Sequence, residues 1–128
     1  MIFPVTALYA SLLGLLLIFL SSRVSQNRHR ARVSLGLGGD ANLERAARAQ
    51  GNFVEYVPIA LILLMMLEPE VPGLWVIHVL GSLLLLGRIL HAIGMQARPI
   101  LKGGRFWGTA LTWLVIVAAS LLNLWHQL

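Results

Sequence analysis

A chain of 128 residues that is 58% hydrophobic and 12% charged, with a mean hydropathy of +0.79, carries more apolar surface than a soluble domain of this length can bury. That excludes a soluble globular enzyme and leaves lipid as the solvent for much of the chain. Cysteine is absent, which excludes disulfides and thiolate metal sites, and the net charge of +5 (pI near 11.2) is assigned to topology-setting loops, not to a nucleic-acid surface.

The first span covers about residues 2–22 and carries no charge until Arg23 closes it. It ends in serines but lacks a basic stretch ahead of its apolar run, so it reads as a retained helix and not as a signal peptide. Arg28, His29, Arg30 and Arg32 follow, and then Gly36, Gly38 and Gly39 form a connector without the lysine or the preceding strand of a phosphate loop. Asp40 or Asn42 is placed to cap a second helix, about residues 42–67, which enters the bilayer near Asn52 and meets Pro58, where a lost hydrogen bond predicts a kink. Glu68, Pro69, Glu70 and Pro72 make an acidic turn, with Pro72 in the first turn of a third helix, about residues 72–95. A basic connector holding Arg98, Pro99, Lys102 and Arg105 leads to the fourth span, about residues 106–125.

These spans nearly exhaust the length, so the expectation is one all-α domain over residues 1–128, a bundle of four transmembrane helices. Both basic loops fall on one side. The positive-inside rule makes that side cytoplasmic and puts both termini on the other, with Trp107 at the cytoplasmic interface and Trp75 and Trp125 at the opposite one.

Ionisable residues inside a span cost about 3 kcal/mol or more each, so they normally face a bundle interior. On the second helix Glu44, Arg48, Asn52 and Glu55 form one stripe, with Tyr56 at its edge. On the third, Arg88, His91 and Met95 form another that Arg98 prolongs. One reading is structural: Arg48, Glu55 and Arg88 neutralise one another as interhelical ion pairs. The other is a ligand site, because guanidinium forks suit carboxylates, a buried carboxylate suits an ammonium, and an amide and a phenol give directional hydrogen bonds. A zwitterionic peptide fits that set. A lipid headgroup fits the basic loops but has less need of Glu55.

Glu44 and Arg45, followed by Arg48-Ala49-Gln50-Gly51-Asn52-Phe53-Val54-Glu55-Tyr56 and Pro58, resemble the signature of the MAPEG superfamily, the membrane-associated proteins in eicosanoid and glutathione metabolism. Gly87, Arg88 and Gly94 extend the resemblance, which is nearest to the short prokaryotic branch akin to microsomal glutathione transferases. It implies a homotrimer that binds glutathione between subunits near the cytoplasmic face, and conjugates it to hydrophobic electrophiles, with peroxide reduction as a second use of the same thiol. Carried over by position, Arg48, Gln50, Asn52, Glu55, Tyr56, Arg88 and His91 would bind glutathione, and Arg105 or Arg98, with Lys102 as a rival, would activate its thiol. Gln50 points about 200° away from Arg48, so contact of both with one ligand requires two subunits. Where relatives carry two tyrosines on the third helix, this chain has His91 and Met95, of which only His91 can donate a hydrogen bond. No metal is implied. The expected partners are glutathione, a hydrophobic electrophile and membrane lipids, and the expected location is a bacterial inner membrane.

Three alternatives are weighed against this. A small multidrug transporter would need a carboxylate in its first span, which has none. Haem would need paired histidines: His78 and His126 fall at similar depth on the third and fourth helices and read first as interface histidines, while His78 and His91, about 20 Å apart along one helix, cannot share one iron. A non-catalytic glutathione- or lipid-binding protein of the same fold is the nearest rival, because of the altered third-helix face. Tyr9, inside the first span, is expected to be a hydrogen-bonded packing residue.

Overall fold

A computed structural model describes residues 1–96 and 102–128. Within them the chain forms four helices: α1 (Pro4–Ala31), α2 (Ala41–Leu67), α3 (Trp75–Gly94) and α4 (Lys102–Gln127), each long and apolar enough to cross a membrane. No strand occurs among the described residues.

The core follows from helical spacing. On α2, Ala49, Phe53, Val57, Ala60, Leu64 and Leu67 recur every three or four residues and are buried; they meet Val5, Tyr9, Leu13 and Leu20 of α1, Ile77 and Leu84 of α3, and Val115 and Ala119 of α4. The opposite faces stay exposed and apolar, with Leu15, Ile18, Leu114, Val117 and Leu121 turned outward, as lipid allows and water would not. Tyr9 is buried as expected, its hydroxyl hydrogen-bonded to Ser82 Oγ at 2.7 Å and His78 Nδ1 at 3.2 Å. Asn123 Nδ2 donates to the Leu63 carbonyl at 2.9 Å, tying α4 to α2.

The closest pairing is α3 with α4, and glycines permit it. A Cβ on Gly108 would lie 2.5 Å from the Gly87 carbonyl oxygen and from the His91 nitrogen, and one on Gly104 would lie 2.5 Å from the Leu90 carbonyl oxygen. A Cβ on Gly94 would collide with the Arg105 backbone. Gly104, Gly108 and Thr112 stand four residues apart, the small-residue spacing by which membrane helices pack without hydrophobic drive.

Several helix ends differ from the sequence expectation. The first helix does not stop at Ser22 but runs to Ala31, because nothing after Arg23 breaks it until Arg32 turns left-handed (φ 55°) and its amide closes on the Arg28 and His29 carbonyls. Arg28, His29 and Arg30 in the last turn complement the helix dipole. Asp40, not Asn42, caps α2: its Oδ1 accepts the Leu43 amide at 2.8 Å and the Arg30 guanidinium at 2.9 Å. The Leu43 amide, helped by Arg30, holds its carboxyl below the ordinary value. Pro72 precedes α3 instead of opening it, and α4 starts at Lys102, before Phe106.

The N-terminus of α1 has no cap of its own. Glu68, just past the end of α2, supplies one: its two oxygens accept the Val5 amide at 2.9 Å and the Thr6 amide at 2.7 Å. Burial would raise this carboxyl's pKa, but hydrogen bonds from Thr6 and the Val5 amide more than offset it and hold the group below its ordinary 4.5. The group is lowered on folding, so its contribution is complete above the unfolded pKa and is lost as pH falls through the folded one. Glu68→Gln is expected to cost about 1–3 kcal/mol at neutral pH. It should also flatten the acid side of thermal stability followed in detergent down to pH ~3; an unchanged acid limb would refute the cap.

Candidate functional site

The described residues singled out in the sequence lie on α2 from Arg48 to Tyr56, on the C-terminal half of α3 (Arg88 and His91) and in the first turn of α4 (Lys102 and Arg105). The Arg48, Asn52 and Glu55 stripe lies roughly 130° around α2 from its buried face, so it flanks the bundle and does not enter the core. Arg48 and Glu55 are exposed and Asn52 is half-buried. Across from them Arg88 is only 2% exposed, fixed by the Gly87 contact with α4, and its Nη1 donates to Asn52 Oδ1 at 2.6 Å.

The ion pairs among Arg48, Glu55 and Arg88 that the structural reading requires do not form among the described residues. Among the described residues Arg30 with Asp40 is the sole salt bridge, and Arg88 Nε and Nη2 are buried with no hydrogen-bond partner. Between the two polar stripes, Asn52 and Arg88 form the only hydrogen-bonded pair among the described residues. The cause is rotational: Glu55 points outward from the flank, where no helix of the same chain reaches it.

Gln50 does face away from Arg48, as its spacing requires, and its Nε2 donates to Ser21 Oγ of α1 at 3.1 Å. Tyr56 packs against Trp113 of α4, with ring centroids 6.4 Å apart and planes tilted by 57°. His91 lies one turn beyond Arg88, 4% exposed, against Gly108. Met95 ends α3 as its C-cap. Lys102 and Arg105 begin α4 with exposed side chains, and the Gly94 contact sets the Arg105 backbone against the end of α3. Arg98 lies outside the described residues.

The MAPEG family model matches residues 6–125. The chain belongs to the MAPEG family. It is 40% identical to the inner membrane protein YecN of Escherichia coli strain K12 over 123 residues, 96% of this chain and 92% of that one. The same figures hold for the protein of that name in Escherichia coli O6:H1 strain CFT073. With its four spanning helices, this MAPEG chain is a multi-pass inner membrane protein.

Sequence reasoning missed three features of this MAPEG fold: Ser21 as the partner of Gln50, Trp113 as the partner of Tyr56, and the glycine seam of α3 and α4. The seam alone left a readable trace, in the four-residue spacing of Gly104 and Gly108.

Proposed function

We propose that this MAPEG protein is a glutathione transferase that binds glutathione between subunits of a homotrimer, at the membrane face of its basic loops, with those loops cytoplasmic. The observation that carries the reading is the Arg88 guanidinium, buried in a membrane helix with two nitrogens unsatisfied and no carboxylate paired with it among the described residues. A charge-assisted hydrogen bond to such a donor returns about 1.5–3 kcal/mol, so an anion brought to the Asn52 side is strongly favoured once the fork turns toward it.

The tripeptide offers two carboxylates for Arg88 and Arg48, an ammonium for Glu55, and amides for Asn52 and Tyr56. Arg48 and Glu55 are exposed and make no salt bridge among the described residues, which supports a site completed by a neighbouring subunit; that subunit's Gln50 would enter from across the interface on releasing Ser21. His91 can donate where relatives use a tyrosine. Arg105, with Arg98 as its rival, would lower the thiol pKa from about 8.5 toward neutrality. The thiol proton passes to water, the thiolate forms a bond to the electrophilic carbon, and the leaving group departs with its electron pair. A lipid-soluble electrophile reaches the sulfur laterally from the bilayer.

The test is glutathione-dependent thermal stabilisation and conjugation of an aryl halide by detergent-purified wild type, Arg48→Ala and Glu55→Ala. Saturable turnover is expected, with kcat/KM reduced on the order of 10- to 100-fold in each variant. Stabilisation without turnover would favour a binding protein of the same fold, and the absence of both effects would overturn the ligand assignment.

A further inference from the structure

Away from the Arg48 stripe, a groove of about 770 Å³ opens between α1, α2 and α3 at the basic-loop end. Its size is within the range of small-molecule sites. The nine residues that α1 gains over its expected end, Arg23 to Ala31, build its outer wall. One stripe of that helix faces the groove, and it changes character along its length: Leu16, Phe19 and Leu20 are apolar, then come Arg23, Asn27 and Arg30. From Leu16 to Arg30 the stripe rises about 21 Å. Ile89 and Ile93 of α3 continue the apolar floor, and Arg45 of α2 joins the cationic mouth.

Two observations identify the occupant. Phe19, Ile89 and Ile93 are 58%, 39% and 37% exposed, so the apolar half is open along the side of the chain, within helices long and apolar enough to cross a membrane. At the mouth Arg30 is already paired with Asp40, whereas Arg23 and Arg45 face no carboxylate among the described residues. An apolar slot at bilayer depth, ending in two uncompensated guanidinium groups at the headgroup level, complements an amphiphile with an anionic head.

We propose that this groove is a specific site for an anionic phospholipid of the surrounding membrane, its phosphate between Arg23 and Arg45 and one acyl chain along Leu16, Phe19, Ile89 and Ile93. The site is independent of the thiol-transfer reading: none of Arg48, Asn52, Glu55 and Arg88 lines it.

Native mass spectrometry of the detergent-purified protein tests it with dioleoyl phosphatidylglycerol, dioleoyl phosphatidylcholine and glycerol phosphate as probes. The anionic lipid is expected to be retained in preference to the zwitterionic one, and glycerol phosphate, lacking chains, should not displace it. Arg23→Gln with Arg45→Gln should weaken retention about 30-fold, near fivefold per guanidinium, and Ile93→Trp should block it by filling the floor. Arg28→Gln with Arg32→Gln removes equal charge outside the groove and should leave retention unchanged. Equal binding of both lipids, displacement by glycerol phosphate, or the same loss in both charge pairs would overturn the proposal. Glutathione-dependent stabilisation of the Arg23 and Arg45 variant separates this outcome from failure of the transferase reading.

Discussion

Gly94→Val is expected to abolish the native bundle. A Cβ at this position runs into the Arg105 backbone, and backbone has no rotamer by which to escape. Overpacking of a core normally costs about 1–3 kcal/mol, and here relief requires α4 to separate from α3, the most extensive pairing in the fold. The variant should therefore elute as aggregate in size-exclusion chromatography and lose its cooperative thermal transition. Gly14→Ala is the control: nothing lies within 4 Å of the added carbon, so the change should be neutral or stabilise by up to ~1 kcal/mol through helix propensity. A Gly94→Val protein that unfolds at the wild-type temperature would remove the seam from the account.

Arg88→Met should separate stability from function. Methionine approximates the arginine stem in volume, removes a buried charge with two unsatisfied donors, and leaves Asn52 half-buried with access to water. Replacing buried ionic groups by apolar ones of similar size is often neutral or stabilising by about 1–4 kcal/mol. Without glutathione the variant is thus expected to melt at or above the wild-type temperature. With glutathione, loss of a bidentate contact worth about 3–4 kcal/mol should reduce kcat/KM on the order of 10²- to 10³-fold and erase the ligand-induced shift. Wild-type turnover in this variant would exclude Arg88 from the site, and a large fall in stability without ligand would make it a structural residue.

The number of helices, their loops and their buried faces were legible because each depends on local properties: a run of apolar residues, a proline, an acidic turn, a repeat of 3.6. Helix ends were less so. The extension of α1 through residues 23–31 carries charge, and hydropathy marks where a helix leaves the bilayer, not where its hydrogen bonds stop. The residues of the candidate site were legible as a pattern on α2, but their partners were not. Spacing puts Arg48, Asn52 and Glu55 on one flank, yet whether Arg88 reaches Glu55 or Asn52 depends on how α3 is rotated, and the glycines facing α4 set that rotation. Gln50 illustrates both sides: its direction could be computed from the helical repeat, while its partner Ser21 depended on the docking of another helix.

The Glu68 cap has a consequence for biogenesis. The amides at the start of α1 wait for an acceptor 62 and 63 positions further along the chain. Until α2 has been inserted that acceptor is not in place, so the helix end depends on water or lipid headgroups alone. Only after α2 has crossed back does the carboxylate arrive to replace them. The first two helices are thus joined at one end by Glu68 and at the other by Asp40 with Arg30, while α3 and α4 are joined by their glycine contacts.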